Sequence, residues 1–228
     1  MKHRHPPFTD PVAVASYAQD ALRRVPGMAD LHRMAVLLLA EQAPGAGHIL
    51  VVGAGGGLEL KAMAEARRDW RFEGVDPSPA MLDLARQAAL SFEDRVVLTL
   101  GTIDDASAGP FDGATCLLTL HFLDSGERLR TLLEIRRRVK PGARLVMAHH
   151  APPQGEAVRW LARSAAFSNR DDGDREEAMT AGKVMAERLP LLTPSEEEAL
   201  LREAGFIDVA LFYAALSFRG WVASAGPA

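Results

Sequence analysis

Apolar residues recur along this chain with two different periods, and the switches between them mark out its elements. Residues 11–42 carry the helical spacing. "DPVAVASYAQDALRRV" offers Asp10 as a cap and Pro11 at the first helical position, and "MADLHRMAVLLLAEQ" keeps its apolar residues on one face until "APGAG" ends it. From His48 the pattern alternates. "HILVV", "WRFEGV", "RVVLTL", "DGATCLLTL" and "PGARLVMAH" read as strands, while residues 58–68, residues 77–90 and "SGERLRTLLEIRRRV" read as helices. "DGATCLLTL" is almost wholly apolar, as a strand buried on both faces should be. Such alternation predicts a parallel sheet wrapped by helices on both sides.

The alternation breaks at Ala151. Residues 152–190 are charged and helical around the acidic turn "RDDGDREE", far more chain than a βα connection of about 2–6 residues needs. An inserted helical lid is the simplest account. In "TPSEEEALLREAGF", Thr193 caps, Pro194 starts and Gly205 ends a helix. "IDVALFY" and "AALSFRGWVAS" then follow with almost no connection, so they form a hairpin and the last strand runs antiparallel to its neighbours. The expected organisation is one domain: an N-terminal helical cap over 1–46, a core over 47–150, a lid over 151–191, and a helix and hairpin over 192–228 that complete a seven-stranded sheet.

The chemistry concentrates after the first strand. "HILVVGAGGGLELKAMAE" turns through Gly53-Ala54-Gly55-Gly56-Gly57 into a helix, and glycines there let another group approach the backbone closely. A dinucleotide fingerprint would have glycine where Leu58 stands. "RFEGVD" ends in Asp76, about 20 residues past the loop, where a carboxylate at a strand tip accepts hydrogen bonds from both ribose hydroxyls of an adenosine. Loop and acid together mark an adenosine-containing ligand without choosing between NAD and S-adenosylmethionine.

"GVDPSPAMLDLARQ", "GTIDD", "FDGATCLLTLHFL", "LLEIRRRVKPGARLVM" and "TPSEEEALLREAGF" resemble, in order and spacing, successive motifs of the class I S-adenosylmethionine-dependent methyltransferases. The resemblance spans roughly residues 47–223, apart from the lid, and implies a Rossmann-like, doubly wound α/β fold with S-adenosylmethionine as cofactor. It also implies site residues. Gly53, Ala54 and Gly55 would pass under the methionine and ribose, and Asp76 would hold the ribose, with Pro77 and Met81 against the adenine. Thr102, Ile103 and Asp104 would flank the adenine edge. Leu120, His121 and Phe122 would approach the methionine end. Apart from the resemblance, Tyr17 in the N-terminal helix either closes over the sulfonium or simply packs in the cap. Many family members carry an acid two residues before the first glycine. Here that position is Val51, and Glu59, just past the loop, does not replace it by position. "RRVPGMADLHRMAVLLLAE" and "FYAALSFRGWVA" further resemble carboxy-S-adenosylmethionine synthases, which serve transfer-RNA wobble modification. Those enzymes bind the extra carboxylate with an arginine, to which Lys183 and Arg188 are the nearest basic residues here.

Composition narrows the substrate. With 48% hydrophobic and 25% charged residues the chain is an ordinary globular protein, and a net charge of −4 gives no nucleic-acid footprint, although Arg159, Arg163 and Arg170 on the lid leave transfer RNA open. A small-molecule acceptor is expected, homodimerisation is left open, and no apolar run is long enough for a membrane span. The single cysteine, Cys116, falls inside the fourth strand as a core thiol and fits a cytoplasmic setting. His121 at the fourth-strand exit and His149 or His150 at the end of the fifth are the candidate bases. Asp171-Asp172-Gly173-Asp174 lacks the distal glutamate of a calcium loop, His3-Arg4-His5 reads as tail, and no metal is expected. An NAD-dependent oxidoreductase and a non-catalytic cofactor-binding module are the remaining alternatives.

Overall fold

The computed structural model describes residues 20–169 and 174–227. Tyr17, the proposed Asp10 cap, His3-Arg4-His5, Arg170 and Asp171-Asp172-Gly173 lie outside the described residues. Seven strands form one sheet: β1 (Gly47–Val52), β2 (Trp70–Asp76), β3 (Val96–Leu100), β4 (Phe111–Leu117), β5 (Val139–His150), β6 (Phe206–Ala215) and β7 (Phe218–Ala225). Their order is β3-β2-β1-β4-β5-β7-β6. β1 to β5 are parallel, and β7 is antiparallel to both β5 and β6, as the missing connection before it requires. This is the doubly wound sheet the alternating pattern predicts.

Helices cover both faces: α1 (Met28–Ala40), α2 (Leu58–Ala66), α3 (Pro79–Ala88), α4 (Ser125–Arg138), α5 (Ala157–Ser168), α6 (Arg175–Arg188) and α7 (Pro194–Glu203). On one face Leu31, Ala35 and Leu39 of α1 and Leu60 and Met63 of α2 share a buried cluster with Ile49, Val51, Val146 and Ala148. On the other, Leu132 and Ile135 of α4 and Leu201 of α7 pack with Leu50, Leu145, Met147 and Trp221. α1 is thus a full layer of the core. At about 25 cal/mol per Å² of apolar surface, its fully buried leucines are each a contribution of about 2 kcal/mol.

Local rules set most boundaries. The side chain of Ser78 caps α3, accepting from Met81 N, and Thr193 with Glu196 forms a reciprocal capping box before Pro194. β4 ends earlier than its apolar run suggests. Leu118 turns into the left-handed region at φ 57° and its amide donates to Ala148 O, so "LTL" leaves the strand for a 3-10 turn at Leu120–Phe122. Between β5 and α7 the chain forms two helices, α5 and α6. They pack so closely that a Cβ on Gly182 would stand 2.6 Å from Val158 O. Asp174 caps α6, accepting from Glu176 N.

Candidate cofactor site at the carboxyl edge of the sheet

The turn from β1 to α2 is built around Asp76. Gly53 N and Ala54 N donate to Val75 O, and Gly55 N donates to Asp76 Oδ2 at 2.9 Å. Ser78 N donates to Asp76 Oδ1, also at 2.9 Å. The tip of β2 therefore holds the glycine loop and the start of α3 through one carboxylate. Asp76 is buried, and burial raises its pKa while the Ser78 and Gly55 amides pull it back. Gly53 is obligatory: at φ 76°, a Cβ there would sit 2.0 Å from Thr119 Oγ1.

A small pocket opens beside the loop, lined by Met28 and His32 of α1, Gly53, Ala54 and Gly56, Leu58 and Glu59 of α2, and Leu117 and Leu118 at the exit of β4. Glu59 and His32 are both buried. Burial pushes the Glu59 carboxyl up to about 7, opposed by the Thr115 hydroxyl, and pushes the His32 imidazole down to about 4. Sequence reasoning set Glu59 aside and passed over His32 and Met28. The helical phase of Glu59, one position into α2, was the available signal.

The remaining expected residues divide. Pro77 is exposed beside Asp76, whereas Met81 and Ile103 are buried beneath the surface. Thr102 and Asp104 are exposed at the carboxyl end of β3, and both oxygens of Asp104 accept from Arg130 Nη1 at 2.7 Å. Leu120 and His121 are buried at the β4 exit, with the His121 ring 4.2 Å from that of Phe122 and 5.0 Å from that of His150. His150 Nδ1 lies 2.8 Å from Ser217 Oγ, which lies 2.6 Å from Ser164 Oγ on α5. The hairpin turn between β6 and β7 delivers Ser217 to this place beneath the inserted helices. Burial lowers the His150 pKa to about 4, so the ring is neutral at pH 7.

His149 faces the other side of the sheet, as the alternation of β5 dictates. It has no exposed surface, its Nε2 is 2.9 Å from Glu197 Oε1, and its ring packs 5.8 Å from Trp221. Arg128, also fully buried, pairs with Glu197 and donates to Leu123 O and Pro190 O, both at 3.0 Å. Burial and the Arg128 charge hold the His149 pKa well below its ordinary value. His149 thus belongs to an internal ion cluster that ties α4 to α7, with its ring centroid 6.3 Å from that of His121. Among the other basic residues weighed, Arg159 is exposed near Glu156, Arg163 lies over the Trp160 ring, and Lys183 and Arg188 are exposed on α6.

A parallel sheet with a glycine loop after β1 and a carboxylate at the tip of β2 defines a protein that holds an adenosine-containing cofactor at its carboxyl edge. Residues 50–145 match a family model described as a methyltransferase domain. The demethylmenaquinone methyltransferase of Symbiobacterium thermophilum is 31% identical over 176 residues, covering 71% of this chain and 68% of that protein. The carboxy-S-adenosyl-L-methionine synthase of Wolinella succinogenes is 27% identical over 173 residues, covering 75% of this chain and 72% of that protein. The solved structure of human N-acetylserotonin methyltransferase in complex with S-adenosylmethionine shares the fold, with a TM-score of 0.62 at 16% identity over 96% of this chain. This chain spans 60% of the length of that one. The chain belongs to the class I S-adenosylmethionine-dependent methyltransferase family, and its cofactor is S-adenosylmethionine. Among the described residues no helix is long and apolar enough to cross a membrane, and no group of metal-ligating side chains is gathered.

Proposed function

We propose that the methyl acceptor is a small molecule received at the carboxyl edge of β4 and β5, between the glycine loop and the helical pair α5–α6. In this reading Gly53, Ala54 and Gly55 carry the methionine and ribose portions, Asp76 the ribose, and the β3 exit the adenine, with Tyr17 closing from the N-terminal segment. The observation that carries the cofactor placement is the pair of amide bonds from Gly55 and Ser78 to Asp76, which pre-sets loop and carboxylate together. Methyl transfer from a sulfonium needs alignment and exclusion of water more than it needs a base, because the leaving group is already activated. His121 and His150 are the polar side chains at the acceptor end, and a neutral His150 can take a proton from a hydroxyl or acidic C–H acceptor. The net charge of −4 favours a small acceptor over bulk nucleic acid. The demethylmenaquinone methyltransferase relative makes a quinone-like or phenolic ring the first class to assay.

Similarity to the Wolinella synthase supports a second reading, in which the chain makes or uses the carboxylated cofactor. A thermal-shift panel tests both. S-Adenosylmethionine and S-adenosylhomocysteine are expected to stabilise the protein, by about 2.7 kcal/mol at 100 times the dissociation constant, and NADH to have no effect. A larger shift with carboxy-S-adenosylmethionine, or a carboxylated cofactor released on denaturing the purified protein, would select the second reading. Turnover to S-adenosylhomocysteine with a phenolic acceptor would select the first. Absence of turnover with every acceptor, despite binding, would leave a cofactor-binding module.

A further inference from the structure

We infer that Glu59 is the carboxylate that receives the α-ammonium group at the methionine end of the cofactor. The inference rests on the methyltransferase reading above and assigns a residue within that site. Glu59 lines the pocket beside the glycine loop and is 6% exposed. Its Oε1 is fully buried and makes no hydrogen bond of good geometry, and the neutral Thr115 hydroxyl on β4, close enough to draw its pKa down, brings it no charge. An orphaned buried carboxylate oxygen costs the protein its full desolvation penalty unless something pairs with it.

The described chain offers that carboxylate no cation. His32, facing the pocket from α1, is kept neutral by burial, and Cys116, next to Thr115 on β4, is a buried thiol. A helix macrodipole alone does not account for the placement. Glu176 and Glu196 occupy the first turns of α6 and α7, where acids are favoured, and both remain in water. Glu59 has instead been drawn under α1 and against β4. The other end of the loop is already assigned, since Gly55 is fastened to Asp76. A ligand laid along Gly53–Gly55 with its ribose on Asp76 extends its amino-acid end into the pocket that Glu59 closes. An ammonium there supplies the missing charge and can donate to both Glu59 and Thr115.

The test is isothermal titration of the full chain and of Glu59→Gln with S-adenosylhomocysteine and with 5′-methylthioadenosine, which keeps the adenosine and sulfur but lacks the amino-acid portion. Glu59→Gln is expected to weaken S-adenosylhomocysteine by about 10- to 100-fold, the range for a lost charged hydrogen bond, and to leave 5′-methylthioadenosine unchanged. Equal weakening of both ligands would show that Glu59 acts through the shape of the loop, and equal retention of both would show that it touches neither; each overturns the assignment. If the unsubstituted chain bound neither ligand, the cofactor reading would fall and the assignment with it, an outcome distinct from a failure of Glu59 alone. Should Glu59→Gln not fold, Glu59→Asp retains the charge on a shorter arm. It is expected to bind S-adenosylhomocysteine more weakly than the parent with 5′-methylthioadenosine unaffected, and parent-like affinity for both would overturn the assignment.

Discussion

Asp76 and Glu59 are buried carboxylates flanking one glycine loop, and the protein treats them in opposite ways. Each oxygen of Asp76 accepts a backbone amide, from Gly55 and from Ser78. Glu59 has a buried oxygen that makes no hydrogen bond of good geometry. Burial raises both pKa values, but only Asp76 has amides pulling it back, and Glu59 alone is carried to about 7. The satisfied carboxylate is part of the loop's own framework and would be needed even without a ligand. The unsatisfied one carries a penalty in the free protein that a cationic ligand group can relieve. A third carboxylate, Glu197, sets the limit of the comparison: Arg128 neutralises it deep in the core, and it faces no ligand.

Substituting Asp76 should break the comparison most severely. Asp76→Ala orphans the Gly55 and Ser78 amides at about 1–3 kcal/mol each, so the ligand-free protein is expected to lose about 4 kcal/mol in chemical denaturation. Binding of S-adenosylhomocysteine should disappear from a titration of whatever folded fraction remains. Glu59→Gln, by contrast, should leave the ligand-free protein at pH 7 as stable as the parent or more so. An Asp76→Ala protein with parental stability would mean that the carboxylate does not hold the loop.

Loop and strand tip were legible in the sequence because they are local. Glycines after an apolar run and an acid at the end of the next strand carry their meaning within a few residues. The sheet was legible for the same reason, down to the hairpin forced between β6 and β7. What the sequence concealed depends on packing from a distance. Glu59 becomes a pocket residue only because α1 and β4 close over it, and α1 read as a cap when it is a layer of the core. His149 and His150 could not be told apart, since β5 is buried on both faces and has no polar alternation to reveal which side a residue takes. The structure sends His149 to the Arg128–Glu197 cluster and His150 to the loop side.

A pH series sharpens the contrast between the two carboxylates. The folded pKa of Glu59 lies above its unfolded value of 4.5, so its contribution is fully present below pH 4.5 and is lost as pH rises through about 7. That loss amounts to about 3 kcal/mol. His32 and His150 act in the opposite sense: lowered to about 4, they stabilise above pH 6.5 and lose that contribution as pH falls toward 4. The parent's own pH profile therefore mixes opposing slopes. The difference between parent and Glu59→Gln cancels the histidines and is expected to change steadily against the parent between pH 4.5 and 7. A flat difference would mean that Glu59 is ionised throughout, with a counter-charge the structure does not reveal.

The smallest expected effect lies at the proposed acceptor end, where burial keeps His150 neutral. Ser217 Oγ stands between His150 Nδ1 and Ser164 Oγ, so the turn of the β6–β7 hairpin orients the imidazole while α5 orients the serine. A single neutral hydrogen bond is worth about 1 kcal/mol, and Ser217→Ala is expected to cost no more than that in denaturation. Its distinguishing effect is on the ring. With the hydroxyl gone, the tautomers of His150 are no longer biased, and the nitrogen shifts of that imidazole should move toward the mixture of an unconstrained histidine. The affinity for S-adenosylhomocysteine should stay where it was, because neither residue belongs to the loop. If instead cofactor affinity fell and the His150 spectrum held, Ser217 would be acting on the cofactor end, and the division of the edge between Asp76–Glu59 and His150 would have to be redrawn.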